Sequence, residues 1–121
     1  MRSWTGIGIV TLGLTALAGG AAAHHGWSGY DASKLVTLAG KVQEAEFEFP
    51  HAMVMLRMEG KDGKLWHVVL APPSRMSARG LPAGSIKAGD EVAVEGYPHR
   101  SEPGEFRAER IRVKGQSFEL R

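Results

Sequence analysis

The chain has 121 residues, with 15 Lys and Arg against 13 Asp and Glu, so its formal net charge is only +2. That length allows one domain and leaves no room for a two-lobed enzyme with a cleft between its lobes. The balanced charge excludes a protein built to coat nucleic acid or an anionic membrane. The sequence has no cysteine, which excludes a disulfide framework, a thiolate zinc site and a cysteine nucleophile.

Residues 1–23 have the pattern of a secretory signal peptide. Arg2 supplies one positive charge, an apolar stretch follows, and small residues lead to Ala23 in an Ala-x-Ala pattern. The apolar stretch is shorter than the roughly 20 residues that a membrane-spanning helix needs; an uncleaved anchor is the alternative. We therefore expect cleavage after Ala23, export to the periplasm, and a mature chain that begins at His24 and has no membrane span.

The spacing of apolar residues divides the mature chain into an arm and a domain. Residues 24–34 are polar and aperiodic, which predicts an N-terminal arm, and residues 35–121 show the strand-like patterns of a β-domain. The first strand is predicted over residues 35–49, where apolar residues that include Phe49 alternate with glutamates. Val42 lies out of phase with that apolar face, which predicts a β-bulge between positions 40 and 43.

A β-hairpin follows, with strands predicted over residues 52–59 and 64–70. A three-residue loop, Lys61-Asp62-Gly63, with Gly63 in the left-handed region is a common way to join such strands. This register places one set of apolar side chains on a single buried face: Val54, Leu56, Met58, Trp66, Val68 and Leu70.

The remaining segments predict a short helix over residues 73–79, strands over 91–97 and 106–113, and a short terminal strand over 117–120. Three strands, a short helix and two further strands suit a small all-β Greek-key barrel of the oligonucleotide/oligosaccharide-binding (OB) type, with five to six strands. An open antiparallel sheet or a small sandwich is the alternative.

The expected mature N-terminus, His24-His25, is the strongest candidate for chemistry. A free α-amine loses its proton more readily than a lysine, and neutral imidazole is the commonest metal ligand in proteins. The amine and the ring nitrogens together give a tetragonal nitrogen donor set, which favours Cu(II). Two histidines that follow a cleavage site by chance are the simpler explanation.

Other residues are candidates for completing such a site. His51 follows Pro50 at the predicted barrel rim, and His99 lies in a loop at the same end, so His51 is a candidate ligand and His99 an additional one. Asp31 is a candidate for orienting a metal-bound imidazole, or simply caps the arm. Met53 and Met55 share the face of His51 and carry thioethers that suit Cu(I), although methionines at strand spacing are more often packing residues.

His67 is predicted to lie opposite Arg57, about 20 Å along the strand from His51. At that distance it is expected to be a structural histidine of the sheet.

The sequence resembles a family of small exported bacterial proteins that is classed as a domain of unknown function. Members open with His-His-Ser-Phe and a Tyr/Phe-Asp pair, continue with a vTLxGxV strand and an Asn-Pro-His-Ala segment, and carry a later Trp and an lkxGDxVxVxGy strand. The matching positions here are residues 24–31, 36–42, 49–52, Trp66 and 86–97. The resemblance implies export, a single small β-domain, and the importance of the His-His start and Pro-His-Ala, but no activity.

The sequence departs from the family pattern at Phe49, where Asn is usual, and at Met53 and Met55. His99 has no general counterpart in the family. These departures put His99 and both methionines in doubt as ligands shared by the family.

Three functions are compatible with these observations. The leading hypothesis is a periplasmic barrel that binds copper, or a similar late transition metal, without catalysis, through His24 with His25 or His51. The second is a non-enzymatic module of the cell envelope that docks a protein or an oligosaccharide through its rim loops. A copper oxidase or oxygenase is disfavoured, because so small a domain leaves little surface for positioning a substrate.

Overall fold

The computed structural model describes residues 26–60 and 63–121. The described elements are β1 (Val36–Glu46), β2 (Met53–Met58), β3 (Leu65–Val69), α1 (Pro73–Ala78), β4 (Glu91–Pro98), β5 (Glu105–Val113) and β6 (Gln116–Glu119). The predicted signal peptide and both histidines of the expected N-terminus lie outside the described residues.

The strands form a closed barrel. Their order is β3-β2-β1-β4-β5-β6 with antiparallel neighbours, and a parallel pairing of β3 with β5 closes the first five strands on themselves. The short helix α1 lies between β3 and β4 in the chain, and β6 adds to β5 as an extra strand. This is the predicted OB-like Greek-key barrel, and the open-sheet and sandwich alternatives are wrong.

The interior is filled by one face of each strand. Phe106, Leu56 and Ile111 are fully buried there, and Met76 of α1 packs against the same cluster. No helix in the described part of the chain is long and apolar enough to cross a membrane.

Strand β1 is long because it pairs on both sides. Positions 36–41 pair with β4 and positions 40–46 pair with β2. The register with β2 shifts between Val42 and Glu44, which confirms the predicted bulge. The extra residue lets Val42 face the core while Ala45 lies opposite Val54, on the inner side of β2.

The predicted first strand is too long at its end. Strand β1 stops at Glu46, the last residue paired with β2, and Phe49 is 86% exposed rather than on the inner face. Beyond Glu46 the chain has no strand partner, so its side chains no longer alternate between the two faces of the sheet. Of the two phenylalanines predicted on the inner face there, only Phe47 packs against the core.

The β2–β3 hairpin has the predicted buried face but not the predicted loop. Val54 lies opposite Val68 and Leu56 opposite Trp66, with all four directed inward or packed against the core. The amide of Met58 donates to the carbonyl of Lys64, so the connection is five residues long rather than three. The register is therefore shifted by two residues, which leaves the faces unchanged but changes every cross-strand neighbour.

Strands β4 and β5 approach each other so closely that one position requires glycine. A Cβ atom at Gly96 would lie 2.0 Å from the carbonyl oxygen of Arg107. Gly96 lies at a register shift between β4 and β5. Because it has no side chain, the start of β5 can lie directly against the end of β4. This contact positions Arg107 beneath the N-terminal arm.

Candidate functional site

A pocket of about 540 Å³ opens between the arm and the ends of β3, β4 and β5. We call it the arm pocket, and its lining comes from the arm, the β1–β2 connection and the β3, β4 and β5 ends: Gly26, Ser28, Gly29, Tyr30, His51, Val69, His99, Glu102, Glu105 and Arg107. The arm is held there by backbone hydrogen bonds, from Asp31 N–H to the Pro98 carbonyl and from Arg100 N–H to the Gly29 carbonyl. The predicted aperiodic arm is thus an ordered wall of the pocket.

Arg107 is the buried charge of the arm pocket. Its side chain points away from the core, yet it is only 5% exposed because the arm covers it. Its guanidinium lies 4.4 Å from the ring centre of Trp27, at a distance typical of cation–π contacts. The Nε atom has no hydrogen-bond partner among the described residues, and burial lowers the pKa of the Arg107 guanidinium.

Tyr30 connects the arm to strand β5. Its hydroxyl donates a hydrogen bond of 2.5 Å to Glu105. Burial, followed by the hydrogen bond to Glu105 and its negative charge, raises the pKa of Tyr30 above its ordinary value.

His51 lies in the arm pocket, as its predicted position at the rim implies. Its Nε2 atom is 3.4 Å from Nη2 of Arg107, and guanidinium nitrogens only donate hydrogen bonds. A metal ion on Nε2 would have to replace this contact and would lie close to a buried positive charge.

His99 lines the same pocket, but its hydrogen bonds oppose the predicted ligand role. Nδ1 accepts from the backbone N–H groups of Ser101 and Glu102, at 3.1 and 3.0 Å. In a neutral ring that accepts at Nδ1, the proton is on Nε2, and an N–H nitrogen has no lone pair for a metal. The ring also packs edge-on against Tyr30, at 5.0 Å between ring centres. This geometry favours a structural role in the turn after β4.

Asp31 does not line the arm pocket. Its carboxylate accepts from the backbone N–H of Ser33 at 3.1 Å and from its hydroxyl at 2.6 Å, and pairs with Lys34 at 3.7 Å. These contacts cap the arm, which was the alternative to orienting a metal-bound imidazole.

The described residues bring two of the predicted ligands, His51 and His99, into one pocket. Within residues 26–60 and 63–121, no three His, Asp or Glu side chains are grouped so that they could hold a metal ion. His24 and His25, which form the predicted N-terminal chelate, lie outside those ranges.

A second group of metal-ligating side chains lies on the outer face of the β2–β3 hairpin. We call Met53, Met55 and His67 the methionine–histidine cluster. His67 lies directly opposite Met55, not opposite Arg57 as predicted. Its Nε2 atom is 3.3 Å from the sulfur of Met53. The two-residue change of register therefore places His67 opposite Met55 and in contact with Met53.

Sequence reasoning missed two features. Strand parity places Arg107 on the outer face, and no periodic signal could show that an aperiodic arm would bury it. The methionine–histidine cluster was missed because the assumed loop was too short by two residues; the spacing of Met53 and Met55 was the available signal.

The chain belongs to a family of unknown function, DUF6152, whose sequence model matches residues 12–106. The match covers most of the chain, in agreement with the resemblance found from its motifs. No protein in the curated set matches the sequence.

Proposed function

We propose that this protein is an exported, non-catalytic copper-binding barrel of the periplasm. Copper is held by the mature N-terminus, with the amine and ring of His24 and a further nitrogen from His25 or His51. The protein stores the metal or hands it over.

The observation that carries this proposal is that Gly26 and His51 line the same pocket. His24 and His25 directly precede Gly26 in the chain, and successive Cα atoms are about 3.8 Å apart. The expected N-terminus is thus adjacent in sequence to a lining residue of the pocket that contains His51, which supports a site shared between them.

The charged residues of the arm pocket have opposite effects on cation binding. Glu102 and Glu105 line it and favour a cation, whereas buried Arg107 disfavours one. We therefore assign the principal ligands to the N-terminal residues rather than to His51, whose Nε2 atom lies 3.4 Å from Nη2 of Arg107. His99 and Asp31 are left out of the ligand set because their own hydrogen bonds occupy them.

The test is a Cu(II) titration of protein purified from the periplasm, after mass spectrometry has identified its first residue. We expect a chain that begins at His24 and binds one Cu(II) with a nitrogen-rich electron paramagnetic resonance spectrum. A Gly-Ser-Gly-Ser extension before His24 separates the amine from the imidazoles and should weaken binding by roughly tenfold to a hundredfold. The same extension after Arg121 is the matched control and should leave affinity unchanged.

Unchanged Cu(II) affinity in the N-terminally extended chain would refute the chelate, and so would a mature chain that begins elsewhere and binds no copper. Circular dichroism of both extended chains shows whether the barrel is intact.

Buried Arg107 favours a second candidate, the envelope docking module. No carboxylate of the described residues forms an ion pair with it, and its Nε atom has no partner there. An acidic group of a partner protein would satisfy both needs. This function predicts partner capture that survives a chelator and is lost in Arg107→Met, and the copper function predicts neither.

A further inference from the structure

We propose that the methionine–histidine cluster, Met53, Met55 and His67, is a separate binding site for Cu(I). It lies on the outer face of the β2–β3 hairpin, and its ligands are two thioether sulfurs and one imidazole nitrogen. It requires neither His24 nor the arm.

The first support is the distance between two of the donor atoms. Nε2 of His67 and the sulfur of Met53 are 3.3 Å apart. Around a tetrahedral ion with bonds of about 2.0 Å to nitrogen and 2.3 Å to sulfur, two such donors lie about 3.5 Å apart. The apo separation is therefore close to the one that a shared ion imposes, and binding needs the neutral ring tautomer with its proton on Nδ1, which leaves the Nε2 lone pair for the ion.

The second support is the strand register. Met55 lies directly opposite His67, and Met53 is its diagonal neighbour on the same face. Directly opposed side chains in an antiparallel pair have Cβ atoms about 4.5–5.5 Å apart, and long side chains also reach across the diagonal. The register thus places both methionine side chains on the face of the same imidazole, and the sulfur of Met53 is in contact with it.

The third support is the charge around the cluster. Glu44 pairs with Met55 and Glu46 with Met53 on neighbouring β1, and these four residues line a cavity of about 200 Å³. Glu105 pairs with His67 on β5, but its carboxylate accepts the hydrogen bond from Tyr30 in the arm pocket. The carboxylates of Glu44 and Glu46 favour a cation, while thioether ligands select a soft ion such as Cu(I) over hard divalent ions.

Ordinary side-chain packing explains this arrangement less well than a metal site does. All three side chains are half-buried on the outer face, where the β1 neighbours of the two methionines are glutamates rather than apolar residues. A hydrogen bond from His67 to a thioether is weak and involves Met53 alone, so it gives no role to Met55.

The experiment is a titration of the full mature protein with Ag(I), a redox-inert analogue of Cu(I), in chloride-free buffer. It is repeated with Cu(I) under argon. We expect one ion to bind and the methyl NMR signals of Met53 and Met55 to shift, while those of Met58 and Met76 stay in place. Met53→Leu and Met55→Leu should each weaken Cu(I) binding by roughly tenfold or more, and His67→Gln likewise.

Met58→Leu is the matched control, because Met58 is on the same strand but packs against the core. Binding that is equally strong in Met53→Leu, Met55→Leu and His67→Gln would overturn the proposal, as would shifts of the Met58 or Met76 methyls instead. The N-terminally extended chain should keep its Cu(I) affinity, and Met53→Leu should keep its Cu(II) affinity. The two copper proposals can therefore fail separately.

Discussion

At the scale of single residues, local hydrogen bonds decide which polar side chains of the arm pocket can act on a ligand. Asp31 and His99 were both candidates for a metal site, but each is occupied by backbone N–H groups of its own turn. Such contacts form between residues two or three positions apart, so they compete effectively with any longer-range role.

The carboxyl of Asp31 allows this local capping to be measured. The hydrogen bonds from Ser33, side chain first, hold the pKa of Asp31 below its ordinary value. The stabilisation from Asp31 is therefore present above its ordinary pKa and is lost as pH falls through the lowered value.

We expect Ser33→Ala to raise the pKa of Asp31 toward its ordinary value, because the main contributor to the shift is removed. Carbon-detected NMR titration of the carboxyl group measures this directly. Ser28→Ala, an exposed arm serine, should leave the Asp31 titration unchanged. A pKa of Asp31 that is ordinary or raised in the unmutated protein would contradict the capping geometry.

At the scale of elements, the β2–β3 hairpin has two faces in different environments. The inner face carries Leu56, which is fully buried, and the outer face carries Met55, which belongs to the methionine–histidine cluster. Strand alternation makes these neighbours in sequence belong to different environments.

We expect Leu56→Ala to lower the free energy of unfolding by about 2–5 kcal/mol, because it leaves a cavity in the closed core. Met55→Ala in the metal-free protein should cost about 1 kcal/mol or less. Urea unfolding of the two variants tests the faces against each other. Equal losses of stability would mean that the hairpin is not oriented as described.

At the scale of the whole molecule, the arm is fastened to the barrel by aromatic and charged contacts between distant parts of the chain. Trp27 lies under two guanidinium groups, those of Arg107 and Arg121, each 4.4 Å from its ring centre. Tyr30 adds its hydrogen bond to Glu105. Together these contacts close one side of the arm pocket.

We expect Trp27→Ala to loosen the arm without unfolding the barrel, because it removes both cation–π contacts but no core side chain. The amides of Tyr30 and Asp31 should exchange hydrogen roughly tenfold faster, while those of β5 stay protected. Hydrogen exchange followed by NMR measures both. Equal acceleration in the arm and in β5 would show that Trp27 supports the barrel itself.

The sequence alone determined the features that depend on local periodicity. Alternating apolar residues located the strands and their inner faces, the out-of-phase Val42 located the bulge, and the order of elements indicated the OB-like barrel. These features follow from side-chain direction and turn composition, which neighbouring residues carry by themselves.

Only the tertiary structure decided what depends on contacts between distant segments. Because the hairpin loop is two residues longer than predicted, His67 lies opposite Met55 rather than Arg57. The inner and outer faces are the same as predicted, because a two-residue shift preserves strand parity. The burial of Arg107 came from an aperiodic arm that packs on β5. The arm pocket and the methionine–histidine cluster both lie where separate segments of the chain are in contact. The closed barrel determines these contacts, and no single stretch of sequence does.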